Sequence, residues 1–413
     1  MRRERARAAC PRRAYFRQDE GRGIAAGDGA STNAVMDLDR THPAIADLAA
    51  RARRRVPRFV WDYLDSATGT EATARRNRAA LDAVRFRPSV LHGELVPDLS
   101  ADLLGQRYPL PFGIAPVGMS GLVWPDAERM LARLARETGI PYGLSTVASR
   151  TPEEVGPEAG AQGWFQLYPP RDPGILSDML GRARAAGFHT LILTVDVPVA
   201  SRRERQTRGG LTQPPKLIPR LMAQTARCPA WALGMLRHGM PRMRFVESYA
   251  DHTGPLPSTA HVGYLLRTSP GWDYLRRLRE AWEGPLVVKG VLCGADAARL
   301  KAEGADAIWV SNHAGRQFDA APATIEALPA VREAVGPDFP VILDSGISGG
   351  LDILRALARG ADFVMLGRAF HYGLAAFGPR GATHVVHILT EDLKANMGQL
   401  GIERPGEAAR RLI

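Results

Sequence analysis

From about residue 110 onward, short apolar runs alternate with segments in which apolar residues recur every three or four positions. The apolar runs occupy residues 111–117, 141–146, 164–168, 190–197, 285–290, 307–312, 340–346 and 363–368. The segments with amphipathic helical spacing include residues 126–139, 171–187, 294–304 and 324–336. In a parallel sheet that is covered by helices on both faces, each strand is apolar along its whole length. Eight such βα units predict an α/β fold, namely a closed (β/α)8 TIM barrel, rather than an open sheet.

The remaining segments divide the chain around this repeat. We predict an N-terminal helical extension that leads into the barrel at residues 36–110. The barrel itself is predicted at residues 111–401, and a C-terminal tail at residues 402–413. Residues 1–35 are arginine-rich and then small and polar, without the apolar stretch of a secretory signal. This composition predicts either a disordered tail or a mis-assigned start, and Met36 would be a natural first residue.

A long loop, residues 204–268, interrupts the alternation once, after the fourth strand of the barrel. Loops of this length in compact domains are usually functional or disordered. The middle of the loop mixes leucine, methionine and tryptophan with arginine. That composition fits a segment lying in a membrane interface, and it equally fits a lid packed on the barrel mouth. The prolines within the loop argue against one continuous amphipathic helix.

Charge and composition narrow the functional classes. The net charge is +11 at pH 7, yet almost all basic residues are arginines, and lysine occurs only at positions 216, 289, 301 and 394. Such a bias reflects overall composition more than a recognition surface, so we expect no nucleic-acid partner. The three cysteines are far apart and form no CxxC pair, which excludes a zinc or disulfide framework and predicts a reducing, cytoplasmic setting. No apolar stretch is long enough for a transmembrane helix.

Polar residues concentrate where the predicted strands end. In a TIM barrel, the working residues lie at the C-terminal ends of the strands. In strand order, the residues at these ends are Pro116, Val117, Gly118, Ser145, Gln166, Tyr168, Thr194, Asp196, Lys289, Ser311, His313, Arg316, Asp344, Ser345, Gly346, Gly367 and Arg368. Polar groups that converge from almost every strand indicate a functional site rather than a packed core.

The stretch SNHAGRQFD, residues 311–319, is the most informative of these ends. His313 follows a strand, and Arg316 comes three residues later, so a base can stand beside a group that binds a carboxylate. A lone histidine is more often structural. The surrounding polar residues favour a catalytic role here.

This stretch, with DSGI at residues 344–347 and GRAF at residues 367–370, resembles the FMN-dependent 2-hydroxy acid oxidase and dehydrogenase family. The resemblance extends from about residue 39 to residue 401, and locally it is greatest to the L-lactate and mandelate dehydrogenases of that family. It implies FMN-dependent oxidation of an (S)-2-hydroxy acid to the 2-oxo acid. The electrons would pass to a quinone, and the enzyme would be peripheral to the inner face of the cell membrane.

The resemblance also implies roles for the substrate side of the site. His313 matches the base that takes the α-proton of the substrate, and Asp196 or Asp319 would stabilise the resulting imidazolium. The side chains that match groups around the substrate carboxylate and hydroxyl are Arg203, Arg316, Tyr63 and Tyr168, with Gly118 beside them.

On the cofactor side, Lys289 matches the lysine beside flavin N1, where a positive charge stabilises the reduced ring. The expected ring contacts are Pro116, Val117, Gly118, Ser145, Gln166, Thr194 and Ser311. The expected contacts to the ribityl chain and phosphate are Asp344, Ser345, Gly346, Gly367 and Arg368. This last group fits the usual phosphate site of TIM barrels, after strands seven and eight.

Three features depart from the family pattern or bear on the substrate. Ser348 stands where the family usually has a phosphate-binding arginine. If no other group replaces that hydrogen bond, the binding free energy of FMN would be weaker by about 1.5–3 kcal/mol. Ala67 and Ala314 replace glycines that are common in the family. Gly118 and Val147 are small, whereas glycolate oxidase carries alanine and tryptophan, so the pocket could admit a branched or aromatic side chain.

Several alternatives stay open at this stage. The electron acceptor could be oxygen, which would make the protein an oxidase. Another FMN barrel chemistry, such as an isomerisation, is disfavoured by His313, Arg203 and Arg316. A non-enzymatic membrane or nucleic-acid binding role would rest on the net charge and the long loop, and it predicts a colourless protein rather than a yellow one. A homo-oligomer, specifically a tetramer, is expected only from the resemblance.

Overall fold

A computed structural model describes residues 38–210, 219–249 and 268–413 of the chain. The predicted tail at residues 1–35 and parts of the long loop at residues 211–218 and 250–267 lie outside the described residues.

Eight parallel strands close into a barrel, which confirms the predicted fold. A short antiparallel hairpin, β1 (Ala101–Leu103) and β2 (Gln106–Tyr108), precedes it. The barrel strands are β3 (Phe112–Ile114), β4 (Tyr142–Ser145), β5 (Gly163–Leu167), β6 (Thr190–Thr194), β7 (Leu286–Val291), β8 (Ala307–Val310), β9 (Val341–Leu343) and β10 (Phe363–Leu366). They pair in sequence order, and β10 pairs with β3 to complete the ring. Every residue of the eight barrel strands except Gly290 is buried, as expected for strands covered by helices.

Apolar side chains fill the interior of the barrel below its C-terminal end. The buried interior cluster contains Ala115, Trp164, Ile192, Val287, Trp309, Ile342, Phe363 and Met365. Because these side chains pack the interior, the barrel is closed beneath the mouth, and only the strand ends remain to form a site.

The outer layer consists of helices that follow the strands. The main ones are α5 (Ala127–Thr138), α6 (Pro152–Ala159), α7 (Pro173–Ala185), α12 (Trp272–Ala281), α13 (Gly294–Ala302), α14 (Thr324–Val335), α15 (Gly350–Ala358), α16 (Arg368–Phe377) and α17 (Pro379–Leu400). A short helix, α4 (Ser120–Val123), follows β3. Helix α5 shows why these segments form: its apolar face, with Leu131 and Leu134, is buried on the barrel, and Gly139 ends the helix at a φ of 70°.

The N-terminal extension forms three helices, α1 (Ile45–Arg55), α2 (Arg58–Asp65) and α3 (Ala72–Ala83). Arg55 ties α1 to α16, because its Nη1 donates a hydrogen bond to the carbonyl oxygen of Ala376 at 2.8 Å. Helix α3 lies against the turns that follow β8 and β9. The extension therefore covers part of the barrel mouth.

The last residues of the chain, predicted only as a tail, pack against helices α15 and α17 and pair with the segment that follows α3. Residues 405–411 form a 3-10 helix with Pro405 and Ala408 buried, and Leu412 forms an isolated β-bridge with Phe86. Burial of these apolar groups is what fixes a segment that the barrel repeat does not include.

The described parts of the long loop after β6 contain four separate helices: α8 (Glu204–Gly209), α9 (Pro219–Ala226), α10 (Pro229–His238) and α11 (Arg244–Glu247). Helices α9 and α10 each begin at a proline, which confirms that no continuous helix runs through the loop. Trp231 of α10 is buried, and its indole N–H donates to the carbonyl oxygen of Leu122 at 3.0 Å. Within the described parts of the chain, every helix is too short or too polar to cross a membrane.

Candidate active site

A cavity of about 330 Å³ opens at the C-terminal ends of the strands. The predicted site residues that line it are Tyr63, Pro116, Val117, Gly118, Tyr168, Arg203, Lys289, His313, Arg316, Asp344, Ser345, Gly346, Gly367 and Arg368. The other predicted residues, Ser145, Gln166, Thr194, Asp196 and Ser311, are not part of this lining. They lie behind it, as hydrogen-bond partners of lining residues or of one another.

His313 and Asp196 form the pair expected of a base and its stabilising carboxylate. The Nδ1 atom of His313 lies 3.1 Å from Oδ1 and 3.3 Å from Oδ2 of Asp196. Burial lowers the pKa of His313, although Asp196 opposes the shift. Burial raises the pKa of Asp196, but His313 and Lys289 together outweigh burial, and the net shift is downward. The pair therefore holds an ionised carboxylate against an imidazole that is neutral at neutral pH, with Nε2 left to accept a proton.

Asp319, the alternative partner for His313, lies elsewhere. Its carboxylate accepts hydrogen bonds from the backbone N–H groups of Thr70 and Thr73, at 2.8 and 3.0 Å. It therefore fixes the start of α3 and not the imidazole. The alternative is resolved in favour of Asp196.

The turn that carries His313 has an unusual backbone. His313 and Ala314 both have a φ of 55°, and Gly315 follows at 73°. Each non-glycine residue in this left-handed region costs about 1–2 kcal/mol. The replacement of the family's glycine by Ala314 therefore adds strain, and neighbouring contacts must hold the turn in place.

Arg316 and Arg203 give the cavity positive charge, and neither is paired with a carboxylate in the part of the chain that the structure describes. Nη1 of Arg316 donates to the carbonyl oxygens of Tyr63 and Ser66 at 2.7 and 3.0 Å. Its Nε and Nη2 make no hydrogen bond within the described part of the chain. Burial lowers the pKa of Arg316 to about 9, and Arg203 adds to this effect. Because Arg316 stays protonated at neutral pH and Arg203 brings a second guanidinium into the same cavity, the site suits an anion.

Arg203 lies at the start of the long loop, and contacts within the loop and with the N-terminal extension hold it in place. Its own φ is 44°, and its Nε donates to Ser201 Oγ at 3.1 Å. Two residues along the chain, Arg205 binds Asp65 at 2.7 Å and Glu71 at 2.8 Å. These ion pairs attach the start of the long loop to the N-terminal extension. They thereby fix where Arg203 enters the cavity.

Two tyrosines stand in the cavity as neutral phenols. The hydroxyl of Tyr63 donates to the carbonyl oxygen of Gly118 at 2.7 Å, and burial raises the pKa of Tyr63. Burial, together with the charge of Asp196, also raises the pKa of Tyr168. Neither hydroxyl can ionise near neutral pH, so each remains available as a hydrogen-bonding group.

Lys289 is buried and held in one orientation. Its Nζ donates to Ser311 Oγ at 2.8 Å and lies 3.3 Å from Oδ2 of Asp344. Below it, the indole ring of Trp309 has its centroid 5.4 Å from Nζ. A carboxylate, a hydroxyl and an aromatic face thus fix the single lysine that lines the cavity.

Ser145, Gln166 and Thr194 are linked into one buried chain. Ser145 Oγ donates to Gln166 Oε1 at 3.0 Å, and Gln166 Nε2 donates to Thr194 Oγ1 at 3.0 Å. The chain crosses three adjacent strands at the level of the cavity floor. Whether these side chains contact the flavin ring stays a prediction.

The turn after β9 forms the other side of the cavity. Ser345 and Gly346 have φ values of 78° and 94°, and Ser348 lies near the start of α15. Arg368 stands at the start of α16 and donates to the carbonyl oxygens of Leu64 and Ser66 at 3.2 and 2.9 Å. The N-terminus of α16 and Arg368, an arginine without a carboxylate partner among the described residues, therefore lie on the cavity together with Ser348.

Sequence reasoning found Tyr63 of the N-terminal extension but missed the contributions of α3 and of Tyr372. Tyr372, one helical turn after Arg368, lines the cavity, and its hydroxyl donates to Oδ1 of Asp65 at 2.7 Å. Asn77 and Arg78 on α3 bind the turns after β8 and β9. The spacing from Arg368 could have suggested Tyr372. Nothing in the sequence indicates which barrel turns α3 covers.

Comparisons with known proteins place the chain in a family. A family described as FMN-dependent dehydrogenase matches residues 52–413. An L-lactate dehydrogenase of Xanthobacter autotrophicus is 39% identical over 369 residues, which is 88% of this chain and 94% of the relative. The monotopic membrane protein (S)-mandelate dehydrogenase is a structural neighbour with a TM-score of 0.84 and 34% identity, covering 90% of this chain and 98% of its own. A mandelate oxidase solved with (S)-2-phenylpropionate has a TM-score of 0.74 and 32% identity, and the match covers 90% of this chain and 98% of the oxidase.

The chain thus belongs to the FMN-dependent dehydrogenase family, which confirms the resemblance found in the sequence. Its cofactor is FMN, and the cavity fits that group. A Cβ added at Gly367 would lie 3.0 Å from Cγ2 of Val117, so Val117 would have to give way to a side chain there. Arg368 and the N-terminus of α16 suit a phosphate, and Lys289 brings a further positive charge to the cavity.

Proposed function

We propose that this enzyme oxidises an (S)-2-hydroxy acid to the 2-oxo acid, with His313 as the base. One observation carries the proposal. A buried imidazole held by Asp196 at 3.1 Å lines the same cavity as Arg203 and Arg316, two arginines without carboxylate partners among the described residues. An acid substrate needs a cationic site for its carboxylate and a base for its proton, and this cavity provides both.

Each side chain has a defined part in this reaction. Arg203 and the free nitrogens of Arg316 bind the substrate carboxylate, and this fixes the hydroxyl-bearing carbon beside His313. Tyr168 is a neutral hydrogen-bonding group for the substrate. Nε2 of His313 accepts a proton, and Asp196 stabilises the imidazolium that results. Bound FMN supplies the acceptor for the two electrons that leave the substrate.

The substrate side chain meets a pocket whose size depends on Gly118 and Val147. A Cβ added at Gly118 would lie 2.7 Å from Cγ2 of Val147 and 3.6 Å from the hydroxyl oxygen of Tyr63. The absence of that Cβ leaves space on this wall of the cavity. The similar proteins named above include enzymes of L-lactate and of (S)-mandelate. We therefore propose a substrate with a methyl, branched or aromatic side chain.

Anaerobic bleaching of the flavin by L-lactate, (S)-mandelate and glycolate tests this proposal, and a Val147→Trp variant makes it specific. The larger ring should fill the space beside Gly118. The second-order rate of reduction by (S)-mandelate should then fall roughly 10- to 200-fold relative to glycolate. Val147→Ala is the matched control and should keep the wild-type preference. A holoenzyme that none of the three acids bleaches would contradict the proposed reaction, and an equal loss for both substrates would contradict the proposed pocket.

The long loop supports a membrane-linked electron acceptor. Helix α10 buries Trp231 and Met235 but leaves Leu233 and Leu236 exposed, with exposed fractions of 68% and 84%. Met222 and Met240 are also exposed, and together these four side chains form the α9–α10 surface. Residues 219–246 contain five arginines and no acidic residue. Apolar side chains flanked by arginines suit the interface of an anionic membrane, where a quinone would take the electrons.

A Leu233→Gln/Leu236→Gln variant tests this surface. We expect wild-type holoenzyme to co-sediment with phosphatidylglycerol vesicles and the variant to bind at least about tenfold more weakly, because two leucines lose burial in the bilayer. Leu91→Gln, which changes a fully exposed leucine far along the chain from the loop, is the control and should bind like wild type. Absence of vesicle binding by the wild type would contradict the surface. In that case the loop would act as a lid.

The second candidate is an oxidase that passes electrons to oxygen. The observation that favours it is the similarity to mandelate oxidase, with a TM-score of 0.74 over 90% of this chain. Peroxide formed per substrate turnover separates the two functions. A yield near one would establish the oxidase, and a yield near zero together with rapid quinone reduction would establish the dehydrogenase.

A further inference from the structure

Helix α3 lies directly against two neighbouring turns of the cavity, those that follow the paired strands β8 and β9. A Cβ added at Gly315, in the turn after β8, would lie 2.8 Å from the backbone nitrogen of Ala74. One added at Gly346, in the turn after β9, would lie 3.1 Å from Cβ of Asn77. The backbones of both turns therefore approach α3 as closely as glycine allows.

Both turns are strained where they meet the helix. His313, Ala314 and Gly315 are consecutive left-handed residues, and Ser345 and Gly346 form a second left-handed pair. Non-glycine residues in this region persist only where surrounding contacts hold them. Contacts from α3 hold both turns, as the next two sets of hydrogen bonds show.

In the first turn, Asn77 forms a reciprocal amide pair with Asn312. Asn77 Nδ2 donates to Asn312 Oδ1 at 2.9 Å, and Asn312 Nδ2 donates to Asn77 Oδ1 at 2.7 Å. Both side chains are buried, with exposed fractions of 1% and 4%. Asn312 Oδ1 also accepts from the backbone N–H of Gly315 at 3.2 Å, which closes the turn around His313.

In the second turn, Arg78 provides the corresponding contacts. Its Nη1 donates to the carbonyl oxygen of Gly346 at 3.3 Å and to Ser348 Oγ at 3.1 Å. The same guanidinium binds Asp352 in a bidentate pair at 2.6 and 2.8 Å. Asp352 in turn accepts from the backbone N–H of Ser348 at 2.9 Å. Arg78 therefore fixes the turn in which Ser348 replaces the arginine usual in the family.

We propose that α3 positions the two sides of the active site separately, through two consecutive residues. Asn77 positions the turn that bears the base, and Arg78 positions the turn that faces the cofactor phosphate. Adjacent residues on a helix point in different directions, so one helix can contact each turn through its own side chain. The two turns are also joined directly, because the backbone N–H of Ala314 donates to Ser345 Oγ at 3.0 Å. Neither side chain lines the cavity, and both act through other residues. This inference rests on the proposed role of His313.

The two positions should be separable by experiment. Asn77→Leu leaves Asn312 without its partner, and a displaced base should lower kcat roughly 10- to 100-fold and displace the acid limb of the kcat/KM profile. Its dissociation constant for FMN should stay within about threefold of wild type, since Arg78 still holds the other turn. Arg78→Met should show the opposite pattern. Its FMN dissociation constant should rise about 10-fold or more, whereas kcat at saturating FMN is retained.

Riboflavin and a same-helix control sharpen the test. Riboflavin has no phosphate, so its affinity for the apoprotein, measured by quenching of flavin fluorescence, should be the same in wild type and Arg78→Met. Arg75→Met removes an exposed arginine of α3 and should change neither kcat nor FMN affinity. The smaller changes Asn77→Ser and Arg78→Lys should show the same two patterns, less strongly, if the larger substitutions prevent folding.

Parallel changes of kcat and FMN affinity in both variants, following only the loss of thermal stability, would overturn the inference. So would wild-type values in both variants. A His313→Asn enzyme assayed in parallel keeps the two proposals apart. If that variant turns over normally, the proposed function fails. If it is inactive while Asn77→Leu keeps the wild-type kcat and pH profile, only the role of α3 fails.

Discussion

Replacing His313 with asparagine should slow reduction of the flavin by the hydroxy acid roughly 10²- to 10⁴-fold. The reason is that, among the described residues, no second imidazole lines the cavity, and its one carboxylate, Asp344, is paired with Lys289 at 3.3 Å. Of the other titratable groups that line the cavity, Tyr63 and Tyr168 have pKa values raised by burial, and Arg316 stays protonated at neutral pH. Anaerobic stopped-flow measurement of flavin bleaching, with L-lactate and (S)-mandelate, gives the rate directly.

Asparagine suits this substitution because of the backbone. His313 has a φ of 55°, a conformation that asparagine adopts more readily than most residues. The variant should therefore fold, bind FMN and remain yellow, so that the loss is one of proton transfer. An FMN-loaded variant whose bleaching rate lies within about tenfold of wild type would remove His313 from the base role.

The barrel and most of the cavity could be predicted because both follow from a repeat. Each strand is an apolar run that ends in polar residues, and closure of eight strands brings those ends together. The lining includes Lys289 from β7, His313 after β8 and Arg368 after β10, as the strand-end rule requires. The resemblance to FMN enzymes supplied the identity of the cofactor, which no spacing rule could provide.

Contacts between the repeat and the rest of the chain could not be predicted. The choice between Asp196 and Asp319 needed the distance to Nδ1 of His313, because both aspartates lie near strand ends in sequence. The positions of α3 and of residues 405–411 depend on burial against distant elements. The homo-oligomeric state expected from the resemblance also stays a prediction, since it depends on contacts between chains.

Replacing Asp196 with asparagine should lower the rate of flavin reduction by a similar factor, roughly 10²- to 10⁴-fold, by analogy with the buried aspartate of other His–Asp pairs. The carboxylate stabilises the imidazolium that forms when His313 accepts a proton. An amide provides no such charge, and it can also donate to Nδ1 and so favour the wrong tautomer. The dependence of kcat/KM on pH separates this electrostatic effect from a loss of structure.

The sign of the shift follows from the forces on His313. Burial holds the pKa of His313 below its usual 6.5, and Asp196 acts in the opposite direction by favouring the charged ring. The neutral ring is the reactive form. The wild-type kcat/KM should therefore stay constant above about pH 6.5 and decrease as the pH is lowered below that value. Removing the carboxylate lowers the pKa of His313 further and should move this acid limb to still lower pH.

Asp319→Asn is the matched control, because Asp319 binds Thr70 and Thr73, and it should leave the acid limb in place. An acid limb that moves upward in Asp196→Asn, or that moves in Asp319→Asn instead, would contradict the assignment of Asp196 as the partner of the base.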